Sequence, residues 1–131
     1  MSNPVHQKHF TLDEARRELT TVHALVSKLG ELLALLEERG WDLKRHAYFG
    51  GMGPNGDGTF PPEMEQLVEI MMVLDRKGVL VKSIRDGLVD FPHIRESGEE
   101  VYLCWKLGED DIGWWHDRSA GFAGRRSIDE L

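Results

Sequence analysis

The sequence has a single cysteine, so it can form neither an internal disulfide nor a zinc site built from several cysteines. Basic residues are also scarce. There are 16 Lys and Arg against 23 Asp and Glu, for a net charge of −7, which disfavours a general nucleic-acid or anionic-membrane binder. No apolar run approaches the ~20 residues of a membrane span, and residues 1–10 lack the apolar segment of a signal peptide. These absences predict a cytoplasmic protein.

Common catalytic motifs are missing as well. The sequence contains no Gly-x-Ser-x-Gly, no His-Glu-x-x-His and no Cys-x-x-Cys. The one cysteine, Cys104, lies between Leu103 and Trp105 in an apolar segment, which favours a buried and inert thiol. The sequence therefore favours a protein that is not an enzyme, and it indicates no particular reaction.

Two helices are predicted in the first 78 residues. The first begins at Thr11, which forms a capping box with Glu14, and ends near Arg39. Apolar residues recur along it at alternating spacings of three and four, which is a heptad seam. The seam consists of Leu12, Ala15, Leu19, Val22, Val26, Leu29, Leu33 and Leu36. The second helix begins near Pro61-Pro62 and ends at Gly78.

Residues 79–117 alternate between short segments rich in Val, Ile, Leu, Tyr and Trp and polar turn clusters, which predicts an antiparallel meander of three or four strands. Its strands would span 79–84, 88–94, 101–107 and 112–117. Asp86-Gly87 predicts a two-residue type I′ turn between the first two strands. Pro92 has no N–H, so it would either make 88–91 an edge strand or end the strand at Phe91.

Centring the predicted turns gives the register of this sheet. It pairs Asp90 with Trp105, and Trp105 with Trp114. Because side chains alternate, the face toward the helices would carry Asp90, Trp105, Trp114 and His116 beside apolar residues. The opposite face would carry, among others, His93, Tyr102, Cys104 and Asp117. A slip of one residue would exchange the faces.

The apolar period changes near Gly78, which predicts an α+β fold with an antiparallel two-helix hairpin packed on a three- or four-stranded antiparallel β-meander. We expect one domain over residues 1–131, because this length suits one modest core. It would comprise a helical hairpin at 11–77 with a Gly-rich connector at 46–60, the sheet at 79–117 and a C-terminal tail at 118–131. The connector lacks the Gly-Lys-Ser/Thr of a phosphate-binding loop, so a plain connector is favoured and a lid stays an alternative.

Several polar and aromatic residues of the C-terminal half are candidates for a binding site, because small-molecule pockets combine aromatic walls with a few polar groups. The candidates are Asp90, Trp105, Glu109, Trp114, His116 and Arg125. Asp90 lies between Val89 and Phe91, and a buried carboxylate needs a hydrogen-bond donor. It either holds the tail through an arginine or belongs to a binding surface.

A metal site built from Asp90, His93 and His116 is disfavoured by the derived register. That register points Asp90 and His93 to opposite faces and separates Asp90 from His116 by roughly 12 Å between Cα atoms. His93 and Asp117 would share a face and could hold an ion. His93, Asp117 and His116 therefore stay weak metal candidates, and no cofactor is expected.

The tail carries two adjacent arginines in a chain that is rich in acid. We expect it to fold back over the sheet with Phe122 as its anchor. Arg125 or Arg126 would then meet Asp90 or Glu109, because a planar guanidinium can bond both oxygens of a carboxylate.

Several segments together resemble a known protein family. They are HFT at 9–11, GLVDFP at 87–92, VYLCWKLGE at 101–109, WWH at 114–116 and GFAGR at 121–125. The pattern resembles a bacterial domain-of-unknown-function family of short uncharacterised proteins, sometimes labelled as related to cell division. The resemblance covers nearly the whole chain and implies an α+β domain, but it implies no known activity, cofactor or catalytic residue. It draws attention to Asp90, Trp105, Glu109, His116, Gly121 and Arg125.

The sequence leaves two functions open. The first is a non-enzymatic interaction module that forms a homodimer through the heptad seam or the Met-rich second helix. The second is a small-molecule or metal-binding protein, or a minor enzyme, with an acidic-aromatic-His site on the sheet. Neither function needs nucleic acid or a membrane.

Overall fold

The computed structural model describes residues 4–41 and 60–131 of the chain. Within these residues, two α-helices precede a five-stranded antiparallel sheet in which neighbours in sequence are neighbours in space. The elements are α1 (Leu12–Glu38), α2 (Pro62–Lys77), β1 (Leu80–Ser83), β2 (Leu88–Ile94), β3 (Glu100–Lys106), β4 (Trp114–Asp117) and β5 (Arg126–Ser127). The predicted α+β class is confirmed, but the sheet has five strands rather than three or four. The predicted Gly-rich connector lies, up to residue 59, outside the described residues.

Helix α1 begins and ends where its sequence signals predict. Thr11 Oγ1 accepts a hydrogen bond from the Glu14 N–H at 3.0 Å, and Glu14 Oε1 accepts one from the Thr11 N–H at 2.8 Å. Most of the heptad seam is buried in the core. Length and composition would also let α1 cross a membrane, a property it shares with core helices of soluble proteins.

Helices α1 and α2 lie antiparallel and in contact. Arg39, just after α1, donates to Glu63 at the start of α2 at 2.6 Å. At the opposite ends, Lys77 of α2 lies 3.4 Å from Glu18 of α1. The buried residues of α2 complete the helical part of the core and are Met64, Leu67 and Leu74.

The predicted register of the sheet is wrong by one residue. Asp90 pairs with Cys104, and Cys104 pairs with Trp114. The loop between β2 and β3 contains the five residues 95–99, where the sequence suggested a turn at 96–99. A loop with an odd number of residues shifts the pairing by one, because register follows from loop length. The β1–β2 connection is also longer than predicted: it is a turn at 84–87 in which Gly87, and not Asp86, has a positive φ.

The corrected register exchanges the faces of β2 and β4. Large apolar residues point toward the helices and are at most 1% exposed: Val89, Phe91, Val101, Leu103, Trp105 and Trp115. The opposite side, called the outer face below, carries Asp90, Tyr102, Cys104, Trp114 and His116. The sequence had assigned Asp90, Trp114 and His116 to the helix side.

Pro92 lies inside β2 without breaking it. β1 pairs only with residues 88–90, so β2 has no neighbouring strand on that side at Pro92. The Pro92 carbonyl instead accepts a hydrogen bond from the Phe10 N–H at 2.7 Å. Pro92 therefore lies at a local edge of the sheet, where proline is tolerated, although β2 continues to Ile94.

The tail returns to the sheet as predicted, but through a strand. β5 pairs with β4, and the Trp115 indole N–H donates to the Ser127 carbonyl at 3.0 Å. Phe122 is 46% exposed, so it is not the predicted anchor. The buried Trp115 has that role, because it offers both apolar area and a donor to the returning chain.

Candidate functional site

Three buried polar side chains meet on the outer face. Asp90 on β2, Cys104 on β3 and His116 on β4 are 1%, 0% and 3% exposed. A carboxylate oxygen, the Cys104 sulfur and an imidazole nitrogen all lie within 4.8 Å of one another. Pairing across β2 and β3 puts Cys104 directly beside Asp90, and His116 approaches from the next strand. The three residues are called the Asp90 cluster below.

Asp90 and His116 are joined by a bidentate contact. His116 Nε2 lies 3.1 Å from both carboxylate oxygens of Asp90, and His116 Nδ1 lies 2.7 Å from the Asp117 carbonyl oxygen. Both ring nitrogens therefore face acceptors, and both donate when the imidazole carries two protons. Burial acts to lower the pKa of His116, but the bonds to Asp90 and Asp117 and the charge of Asp90 outweigh it and raise the pKa.

Cys104 is held as a neutral thiol. Burial, reinforced by the negative charge of Asp90, raises its pKa to about 12. The charges of the three groups sum to zero when the Asp90 carboxylate faces a doubly protonated His116 and the neutral Cys104 thiol. A neutral sum is what a site buried between strands needs, because an isolated charge is costly there.

Tyr102 connects the cluster to the N-terminal segment. Its ring lies against the His116 ring, with centroids 5.4 Å apart and planes inclined by 54°. The Tyr102 hydroxyl is 2.7 Å from His6 Nε2. Burial and the charges of Glu100 and Asp90 raise the pKa of Tyr102, so it stays a neutral phenol.

A second polar group lies beside Trp114. Arg125 Nη2 donates to Glu109 Oε2 at 2.5 Å, and the guanidinium lies 5.0 Å from the Trp114 ring centre and 4.7 Å from that of Phe122. The prediction that a tail arginine meets Glu109 or Asp90 is confirmed for Arg125 and Glu109. Asp90 has His116 as its partner instead.

The sequence candidates thus form two groups, one of Asp90 with His116 and one of Glu109 with Arg125, Trp105 and Trp114. Asp90 is bonded to His116, and Arg125 is bonded to Glu109. Trp105 lies on the helix side, where its indole N–H donates to the Glu109 carbonyl at 3.0 Å. A cavity of about 310 Å³ beside Trp105 and Glu109 contains no member of the Asp90 cluster.

The observed register places the predicted metal candidates on opposite faces of the sheet. His93 and Asp117 each pair with Val101 on the helix side, so neither lies with His116. His93 Nδ1 is 2.7 Å from the Phe10 carbonyl oxygen. The sequence argument that distance keeps Asp90 and His116 apart was wrong, because it compared Cα atoms and neglected the reach of the imidazole.

Cys104 is the member of the cluster that the sequence argument missed. It was interpreted as a buried thiol, which it is, but its place beside Asp90 depends on the five-residue loop. The usable signal was the glycine at position 98, since a loop of three to five residues that contains Gly is a common hairpin connection. That loop, centred on Ser97, brings Cys104 opposite Asp90.

Fold and cluster together define a small α+β protein with a buried Asp–Cys–His group on the sheet face opposite its helices. The chain belongs to the family of uncharacterised conserved proteins DUF2203, whose model matches residues 8–128. The resemblance to a domain-of-unknown-function family is thereby confirmed. Comparison with curated proteins and with solved structures gives no significant match.

Proposed function

We propose that this protein binds a divalent transition metal, with zinc favoured, through Asp90, Cys104 and His116. The observation that supports the proposal is the convergence of their three ligand atoms within 4.8 Å in a fully buried position. Thiolate, imidazole and carboxylate are the side chains that hold zinc in proteins.

The second bond of His116 also suits a metal ligand. A metal-binding histidine usually donates its other ring N–H to a carbonyl or carboxylate, which fixes the ring and its tautomer. His116 Nδ1 makes such a contact with the Asp117 carbonyl at 2.7 Å and leaves Nε2 directed at Asp90. The imidazole is therefore oriented for a metal before one binds.

Charge balance favours the exchange of protons for a metal ion. Zinc would replace one proton of His116 and the thiol proton of Cys104, because a metal binds neutral imidazole and thiolate. The bound state then contains one dication, two anions and a neutral ring, so the buried site stays neutral. Three protein ligands leave one position of a tetrahedral zinc ion for water or a small ligand.

Cobalt and zinc titrations test the proposal. We expect one metal ion per chain, a Co²⁺–thiolate absorption band, and about two protons released per ion when buffers of different ionisation enthalpy are compared by calorimetry. Zinc at 100 times its dissociation constant should stabilise the fold by about 2.7 kcal/mol.

Single variants identify the ligands. Cys104→Ser should abolish the thiolate band, and Asp90→Asn or His116→Gln should weaken binding by more than the ~10–100-fold that a supporting residue costs. His23→Ala is the matched control, because His23 is exposed on α1. Metal binding that survives in Cys104→Ser with unchanged affinity would place the metal elsewhere.

A homodimer is the second candidate. Six of the eight residues of the heptad seam are buried in the core of their own chain, which favours another surface for the dimer. Val68 and Met72 remain 47% and 53% exposed and lie four residues apart on one face of α2. A second copy of the chain packed on this face would bury them.

Light scattering over a range of concentrations tests the dimer. Met72→Glu should shift the protein toward the monomer, whereas Glu65→Gln on the same helix should not. A wild-type protein that stays monomeric at high concentration would contradict the homodimer and leave the metal proposal untouched.

A further inference from the structure

We propose that residues 4–9, called the N-terminal strap below, form a latch that controls metal uptake and release at the Asp90 cluster. This inference rests on the proposed metal binding. It assigns the strap a role in the rate of exchange and none as a metal ligand.

The strap is held by one buried carboxylate. Glu100 Oε1 accepts from the Val5 N–H at 2.8 Å, and Oε2 accepts from the His6 N–H at 3.1 Å. His9 Nε2 lies 2.7 Å from Oε2, and Arg118 donates to Oε1 at 2.9 Å. The Glu100 side chain is 3% exposed, so these contacts fix the strap across the ends of β3 and β4.

The strap reaches the cluster through Tyr102. His6 Nε2 is 2.7 Å from the Tyr102 hydroxyl, and the rings of these two residues meet edge to face with centroids 5.4 Å apart. Tyr102 in turn lies against the His116 ring. A short chain of contacts thus runs from the strap through one aromatic side chain to a proposed ligand.

Metal exchange requires part of the outer face to move, because no cluster residue is more than 3% exposed. The contacts given above between the strap and the sheet use the side chains of Glu100 and Tyr102. The strap can therefore lift while the ladder between β2 and β3 stays paired. Segments with few buried apolar contacts are the ones that open locally, and Val5 is 69% exposed.

His6→Ala tests the latch without altering a proposed ligand. We expect zinc transfer to a chelator, and Co²⁺ uptake, to accelerate about tenfold while the equilibrium affinity changes less than about threefold. In the metal-free protein, alkylation of Cys104 should accelerate by a similar factor. Cys104 is the single cysteine of the chain, so the labelling reports on this site alone.

Two control variants separate local opening from general instability. His23→Ala should leave both rates unchanged. Val22→Ala removes volume from the helical core without touching the strap, so it reports how fast Cys104 reacts through global unfolding. The alkylation rates of His6→Ala and Val22→Ala are compared at an equal loss of the free energy of unfolding. If Cys104 then reacts no faster in His6→Ala than in Val22→Ala, the latch is overturned.

The remaining outcomes distinguish the latch from the metal site. Faster zinc release that is matched by an affinity lowered more than tenfold would make His6 a ligand and overturn the latch. Metal binding at the cluster with unchanged exchange and alkylation in His6→Ala would leave the site standing and overturn the latch. Should the wild-type protein bind no metal, the proposed function fails, and faster alkylation would then support the strap only as a cover over Cys104.

Discussion

Arg125 has three neighbours of different chemistry. The rings of Trp114 and Phe122 lie 5.0 and 4.7 Å from its guanidinium, and Glu109 accepts from Nη2. Its side chain is 9% exposed and that of Glu109 is 27% exposed. A guanidinium enclosed in this way contributes apolar contact as well as charge, so its removal affects the fold more than an exposed ion pair would.

We predict that Arg125→Ala destabilises the fold by about 1.5–3 kcal/mol, the range for hydrogen bonds to charged groups. The double variant Arg125→Ala/Glu109→Gln should lose less free energy of unfolding than the two single variants together, with a coupling of at least ~0.5 kcal/mol. Urea unfolding of the four proteins measures this coupling.

Arg126→Ala is the matched control for that cycle. Its side chain is 48% exposed, its contact with Glu130 is 3.9 Å long, and one ring, that of Trp115, lies 4.5 Å from its guanidinium, against two rings for the more buried Arg125. An exposed pair of this kind should contribute ~1 kcal/mol or less. Equal losses of the free energy of unfolding in Arg125→Ala and Arg126→Ala would show that the enclosure of Arg125 adds nothing to the stability of the fold.

Helix boundaries could be predicted from the sequence because their causes are local. The capping box at Thr11 and the left-handed glycines at positions 40 and 78 each act within a few residues, and they limit α1 and α2 as expected. The strands of the meander were predicted within two residues at each end for the same reason. The two-residue β5 has too few residues to show a pattern.

Register could not be predicted, because one residue in a loop decides it. The cluster Glu96-Ser97-Gly98-Glu99 suits a turn of four residues or a loop of five, and its composition does not choose between them. The candidate site inherited this error: Asp90 and His116 were selected as polar residues in apolar strands and do lie in contact, but Cys104 was assigned to the other face. The register between neighbouring strands thus decides which polar side chains share a face, and a change of one residue in a loop changes that set.

At the scale of the whole molecule, the N-terminal strap and the C-terminal tail both return to the sheet. The N-terminal strap is bound by Glu100 at the start of β3, and β5 pairs with β4 at the opposite edge from β1. These returns connect residues nearly 100 positions apart, such as Val5 and Glu100. A carboxylate that joins such distant segments should influence global stability and not only the order of the strap.

Acid stability is therefore the global property that Glu100 should control. Burial acts to raise the pKa of Glu100, but bonds from His9, the N–H groups of Val5 and His6, and Arg118 outweigh it and lower the pKa from 4.5 to about 2. Because the pKa of Glu100 is lower in the folded chain than in the unfolded chain, the unfolded chain binds more protons between about pH 2 and pH 4.5. The stabilisation is thus present above about pH 4.5 and is lost as pH falls through about 2.

We predict that Glu100→Gln lowers the free energy of unfolding by about 3 kcal/mol at neutral pH, the equivalent of this pKa difference. The difference between wild type and variant should shrink as pH falls from about 4.5 toward 2, because protonation of the wild-type carboxylate removes the same interactions. Urea unfolding across this range measures both effects. Glu99→Gln is the control, since Glu99 is exposed and its pair with Arg95 should contribute ~1 kcal/mol or less. Parallel pH profiles of wild type and Glu100→Gln would show that Glu100 does not bind the strap as an ionised carboxylate.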